Sequence, residues 1–495
     1  MSADNRAVRF APWLCLALVA LAAGCGGGSK SGSPGRHTTV LTLEVPDDGD
    51  PPAAVFATAV TRLTHGRLRV EHDLASPYTS AVPANEVRLA RALESGKVAV
   101  GYLPARAWAV AGNSGFKALL APFVLSTERA SQAFAQSALA DAVLQSLPDS
   151  VVGLALVPQE PRRFLLDRQP DSKQAFAGLR IRIVDNPQTA ADVRAVGGRP
   201  VEGLTAQQAN AALTHHKLDG VESNAASILN NGYQTVAHYF SAYSPFAKFQ
   251  SIVVSRAAWD KLTSDQQAAL RAAAHDAVAS AVRSEPSQER QELIQLCESE
   301  AVPVAPTRSQ LDAIAAAMRS TASRFVTDRG GKELLAQLLR LPGAGVQTLA
   351  APLPYRCTHP PKAVSFVHRG GATIPPGVYT VTDTVQDFMK GSVIGPDFHK
   401  PVTMVTTFRK DGTWSQYQKP NYPDQGPWRG TYTVHGDQLT FEMTHAGPPG
   451  RNNSIDAPET VQWSYYDGKL TMRNLIVADS GSRVLYAAHP WRKIR

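Results

Sequence analysis

The hydrophobic period of this 495-residue chain changes once, near residue 340. Before that point, short β-branched apolar runs at 41–45, 68–74, 98–103, 151–157, 179–184 and 251–254 alternate with longer amphipathic stretches. Runs of strand length alternating with stretches of helix length predict an α/β unit with largely parallel strands. From Gly377 onward the period is two, as in Val402-Met404-Thr406-Phe408, Leu439-Phe441-Met443 and Val461-Trp463-Tyr465. The turns Asp411-Gly412, Gly436-Asp437 and Asp467-Gly468 punctuate these runs, which predicts an antiparallel meander closing into a small barrel or sandwich.

The two textures meet in a segment crowded with Pro342, Gly343, Gly345, Pro352, Pro354, Gly370, Gly371 and Pro375. We read 342–376 as an interdomain linker, 38–341 as the α/β domain and 377–495 as the β domain. The strongest helix covers 264–281. Thr263-Ser264-Asp265 opens it with side chains that accept the free first-turn amides, and Leu270, Ala273, Ala274 and Ala277 recur on one face. Further amphipathic helices are expected over 288–300 and 310–327.

Hydrophobic residues make up 43% and charged residues 19%, as in folded domains, and the length calls for two or three cores. The net charge is +8, but Lys and Arg are scattered, without the concentrated basic face that nucleic-acid binding needs. A generally cationic surface suits anionic solutes or an anionic envelope.

Arg6 and Arg9 precede an apolar stretch over 10–23 and then Gly24-Cys25-Gly26-Gly27-Gly28. The stretch is short for a hydrocarbon core of ~30 Å, so 1–24 reads as a cleaved signal peptide. Leu21-Ala22-Ala23-Gly24-Cys25 resembles a bacterial lipobox, which implies lipidation of Cys25, membrane attachment through that lipid and an extracytoplasmic location. The Gly/Ser-rich residues 25–37 then form a tether. Cys297 and Cys357 remain in the body of the chain. An oxidising exterior favours a disulfide between them; two free buried thiols are the other reading.

No G-x-S-x-G, H-E-x-x-H, C-x-x-C, P-loop or G-x-G-x-x-G motif occurs, so neither catalysis, a cofactor nor a metal site is expected. His215 and His216 are neighbours, which on a helix point about 100° apart and share no face; we read them as solvated residues at a helix end. His489-Pro490-Trp491 reads as part of a strand closing the β domain.

Gly178-Leu179-Arg180-Ile181-Arg182-Ile183, Gly197-Gly198-Arg199-Pro200 and Leu218-Asp219-Gly220-Val221-Glu222-Ser223-Asn224 follow one another in order. Together they resemble the solute-binding subunit of tripartite ATP-independent periplasmic (TRAP) transporters, the DctP-like family. Its corresponding words are G-L-K-x-R-V-P, G-A-x-P and V-D-G-x-E-N. Trp259-Asp260-Lys261-Leu262, Leu93-Glu94-Ser95-Gly96-Lys97-Val98 and Pro122-Phe123 extend the likeness over roughly 38–340. The resemblance implies two α/β lobes of the type II-like periplasmic-binding-protein kind that close on a small organic acid, and TRAP-type membrane permease subunits as partners.

The family holds a carboxylate with a fixed arginine, and its motif position falls on Arg182. A planar guanidinium offers paired donors to both carboxylate oxygens. Arg162, twenty residues upstream, and Arg106 in Pro104-Ala105-Arg106 are implied as further ligand-facing arginines; a surface ion pair, worth ~0–1 kcal/mol, is the alternative role for each. Ser223 and Asn224 stand where the family has its asparagine, and Val184-Asp185 replaces V-P. These departures put the solute's identity in doubt, and the β domain lies outside the family's usual architecture. A second functional class is a sensory or interaction lipoprotein whose β domain, with Trp414, Trp428, Trp463 and Trp491, binds a ligand or partner.

Overall fold

The computed structural model describes residues 38–46, 51–73, 76–78, 84–299, 301–358, 368–390, 401–419, 428–445, 459–476, 486 and 488–495. The expected signal peptide, the expected lipidation site Cys25 and the expected tether lie outside these residues.

Ten strands build the α/β sheet: β1 (Thr39–Glu44), β2 (Leu68–His72), β3 (Val100–Pro104), β4 (Val151–Leu166), β5 (Arg180–Arg182), β6 (Arg199–Val201), β7 (Gly220–Ser223), β8 (Tyr239–Ser241), β9 (Phe246–Ser255) and β10 (Val302–Val304). Their order is β2-β1-β3-β9-β4-β7-β5-β6, with β8 beside β4 and β10 beside β8. β1 is parallel to β2 and β3, and β5 is parallel to β6 and β7. Between these halves β4 and β9 are antiparallel to each other, to β3 and to β7. The expectation of a largely parallel sheet is thus corrected: two parallel lobes are joined by two long antiparallel strands.

Both long strands exceed the runs seen in the sequence. β4 continues past Val157 through Pro158, which stays in register opposite Phe249 of β9, and through Pro161, which falls at the register shift between Gln159 and Arg162, where a residue without an amide hydrogen loses no ladder bond. The helices expected over 264–281 and 288–300 are a single helix, Ser264–Glu298, with Pro286 inside it. Its packing along β4 outweighs the local cost of the proline. Its start carries the expected chemistry: Thr263 Oγ1 accepts the Gln266 amide while Gln266 returns a bond to the Thr263 amide at 3.0 Å.

Helices cover both sheet faces, so the strands are apolar on both sides. In β9, Ile252 and Val254 pack with Phe56, Val60, Leu270 and Ala274, whereas Val253 faces Leu89, Trp108, Phe116 and Phe134. In β4, Phe164 joins Phe176, Ile181 and Met318, while its neighbour Leu165 joins Leu213, Ile228 and Leu293.

The remaining strands are β11 (Gly377–Asp383), β12 (Val402–Phe408), β13 (Thr413–Lys419), β14 (Trp428–His435), β15 (Gln438–His445), β16 (Glu459–Tyr466), β17 (Lys469–Ile476) and β18 (Trp491–Lys493). They form a closed antiparallel barrel rather than a sandwich, and the three residues of β18 seal it by pairing with both β11 and β17. Alternate inward residues fill the interior, among them Tyr379, Phe408, Phe441 and the fully buried Trp414, Trp463 and Trp491. Eight strands enclose just enough space for such side chains.

Candidate ligand-binding site

Arg182 ends β5, the short middle strand of the second lobe. Two residues earlier Arg180 grips Asp219: Nε lies 2.9 Å and Nη2 2.6 Å from its carboxylate, which also accepts the Arg180 amide at 2.7 Å. The next residue must be small, since a Cβ at Gly220 would lie 2.5 Å from the Leu165 carbonyl oxygen. Asp219-Gly220 therefore ties β5, β7 and β4 together, and Arg182 inherits a rigid mount.

The Arg182 residue is 8% exposed. Its Nη2 donates to the Leu204 carbonyl at 3.0 Å, while its Nε is buried without a partner. Burial first, and the like charges of Arg162 and Arg106 with it, push the guanidinium below its ordinary pKa, against the opposing influence of Tyr233 and Glu222. Three of the implied ligand arginines thus share one region.

The other two are already neutralised. At the register shift of β4, Arg162 sends Nε and Nη2 to the carboxylate of Glu222 on β7, with Nη2 2.8 Å from Oε2 and 3.0 Å from the Glu222 carbonyl. Arg106, in the turn of helix that follows β3, meets both oxygens of Glu86, with Nε 2.8 Å from Oε2. Both pairs are largely buried.

Arg106, Arg162, Glu222, Asn186, Thr189 and Phe249 border a narrow space of about 30 Å³. Arg106 also borders a larger cavity of about 610 Å³, lined by Glu86, Arg88, Arg91, Lys97 and Asp185. Asp185 Oδ1 accepts the Gly203 amide at 2.6 Å.

Ser223 and Asn224 sit apart from this cluster. Successive strand residues face opposite ways, so with Glu222 turned to Arg162, Ser223 turns to the other face, opposite Arg163. Asn224 Nδ2 donates to Glu160 at 3.0 Å, and its Oδ1 is buried without a partner. Arg163 on that side is bound to Glu289 of the long helix. Sequence reasoning did not single out Glu222 and Glu86 as counter-ions or Tyr233 as a neighbour of Arg182. Only the word Asp219-Gly220-Val221-Glu222 held a hint. His215 and His216 are exposed beyond the helix Ala206–Thr214. Cys297 and Cys357 are joined in a disulfide, Cα atoms 5.1 Å apart.

A family profile described as bacterial extracellular solute-binding protein, family 7 (DctP), matches residues 52–328, more than half of the chain. The chain belongs to this family.

Family 7 proteins are solute-binding proteins, not enzymes, and the barrel of this member begins beyond the matched residues. A curated relative, a solute-binding protein from Chromohalobacter salexigens, is 25% identical over 111 residues, 22% of this chain and 33% of that protein. The chain thus spans about a third of the curated relative's length. Among solved structures, a TRAP periplasmic solute-binding protein from Ochrobactrum anthropi is similar with a TM-score of 0.55 at 20% identity, covering 61% of this chain and 95% of the other. One from Xanthobacter autotrophicus, with bound β-D-galacturonate, gives 0.54 at 17% identity, covering 61% and 100%. One from Haemophilus influenzae, with bound L-gulonate, gives 0.55 at 15% identity, covering 62% and 100%. At these identities the likeness establishes the two-lobed fold.

Proposed function

We propose that this family 7 protein is a lipid-anchored extracytoplasmic receptor that closes on a small organic acid, orients its carboxylate on Arg182, and delivers it to TRAP-type permease subunits. The observation that carries the reading is the imbalance of charge among Arg106, Arg162 and Arg182. Glu222 answers Arg162 and Glu86 answers Arg106, whereas Arg182 has a buried Nε with no acceptor and donates through Nη2 to the Leu204 carbonyl. A buried cation without a counter-charge costs several kcal/mol, and a carboxylate with two oxygens matches a guanidinium's paired donors.

About 30 Å³ beside Arg162 admits about one or two waters, not an acid with several carbons. Ligand entry therefore requires the lobes to part, with β4 and β9, which run through both, absorbing the motion. Bound galacturonate and gulonate in the neighbours make six-carbon sugar acids the first solutes to test. The disulfide suits an oxidising compartment, in keeping with an extracytoplasmic location.

Calorimetry of the non-lipidated mature chain against hexuronates, hexonates, C4 dicarboxylates and the matching neutral hexoses tests the reading. Saturable binding of at least one acid and none of its neutral sugar is expected; silence toward every acid would overturn it. For the anchor, Cys25→Ala should move the protein from the membrane to the soluble fraction.

A further inference from the structure

The seam that closes the barrel holds a polar cluster with no role in the cleft. Along β11, Tyr379, Val381 and Asp383 are the buried, inward residues. The first two belong to the barrel core. At the third, where the alternation calls for an apolar side chain, stands a carboxylate with 0% exposure and no hydrogen-bond partner on either oxygen among the described residues. Buried polar atoms are nearly always partnered, so two orphaned oxygens on one side chain mark a place made for something else.

The topology brings two further donors to that place. β18 is antiparallel to β11 with Thr380 opposite Arg492, and continuing this register for three residues sets Asp383 opposite His489. The short helix Val385–Lys390 that follows β11 supplies Asp387, whose Oδ2 accepts the Thr384 amide at 2.8 Å and the Thr384 hydroxyl at 2.6 Å and lies 2.9 Å from His489 Nε2. One ligand atom from each of Asp383, Asp387 and His489 lies within 4.8 Å of the others.

We propose that Asp383, Asp387 and His489 bind one divalent transition-metal cation of the zinc class at the seam of the barrel. One imidazole nitrogen with two carboxylates is a zinc-type donor set, whereas calcium takes six to eight oxygens. Thr384 holds Asp387 in place as outer hydrogen-bond partners hold metal-binding carboxylates. His489, with 45% of its side chain exposed, gives the ion a route in and can rotate to bring the donors to the spacing of about 3.3 Å that bonds of about 2 Å require. A fourth position stays open to water or to a ligand from solution. The three residues span more than a hundred positions, so no sequence motif announces them.

The test uses the untagged, non-lipidated mature chain, stripped with chelator and titrated with Zn²⁺ and separately with Ca²⁺ by calorimetry. One equivalent of zinc should bind, calcium should not saturate, and Asp383→Asn and His489→Ala should each weaken zinc at least tenfold. His489 is exposed, so its replacement leaves the barrel packing intact; melting curves of the metal-free proteins verify this. No saturable zinc binding by the wild type, as when a proton or a water satisfies Asp383 instead, would overturn the proposal. So would one-equivalent binding that both substitutions leave unchanged.

Discussion

Arg162 and Glu222 form a closed pair inside the cleft: two guanidinium nitrogens meet the carboxylate and one of them also meets the Glu222 backbone carbonyl at 3.0 Å. On the proposed function, an anion-binding protein has placed its own anion on one of its arginines. An incoming carboxylate must either displace Glu222 or leave Arg162 alone. Arg182, with its buried unpartnered Nε, offers the lower-cost partner.

Glu222→Gln should separate these roles. The amide keeps the shape but removes the counter-charge of a buried arginine; losing one partner of such a pair costs on the order of 3–5 kcal/mol, and the retained hydrogen bonds reduce that. The melting temperature should fall, while a dicarboxylate should bind about tenfold more tightly because its second carboxylate can take Arg162. Melting curves and calorimetry on the same protein check both effects; unchanged values in both would remove Glu222 from the account.

Asp192 gives the second lobe a pH dependence. It lies fully buried in the helix Pro187–Ala195, with one oxygen bonded to Thr321 and the other without a partner, and burial pushes its pKa up to about 8. The folded state therefore holds a proton that the unfolded chain releases near pH 3.9. Stability should fall as pH rises from about 4 to about 8 and level off above. Asp192→Asn should flatten this slope, stabilising the protein at pH 9 and changing little at pH 4. Urea unfolding at three pH values measures it.

The Cys297–Cys357 bond closes a loop across a sequence separation of 60 residues. Loop-closure entropy puts its contribution at about 4 kcal/mol. Reduction, or Cys357→Ser, should lower the melting temperature, and the native unreduced chain beginning after Cys25 should contain no alkylatable thiol. Two alkylatable thiols in that protein would contradict the bond.

How much was legible beforehand follows from the range of each interaction. The Thr263–Gln266 capping box, the alternation of the barrel strands and the Arg182 motif are local, and each reads directly from neighbouring residues. Pro286, Pro158 and Pro161 misled because their local cost is overridden by packing along β4, by pairing with β9 and by a register shift at Pro161, none of them visible in one segment. Glu86 and Glu222 were missed as counter-ions for the same reason: Glu222 meets Arg162 only once strands sixty residues apart are assembled, and Glu86 meets Arg106 only once the helices on either side of β3 pack together. Ser223 and Asn224 show the limit of motif transfer. They follow the right word, yet the strand's alternation and the bond to Glu160 turn them from the arginine cluster.

The most direct measurement of the central claim compares wild type, Arg182→Ala and Arg182→Lys in calorimetric titration with the acid that binds best. Truncating one partner of a buried, charge-assisted pair should weaken binding about a hundredfold or more in Arg182→Ala. Arg182→Lys should recover only part of it, because a point charge lacks the paired geometry. Binding by Arg182→Ala within twofold of wild type would contradict the assignment of the carboxylate to Arg182.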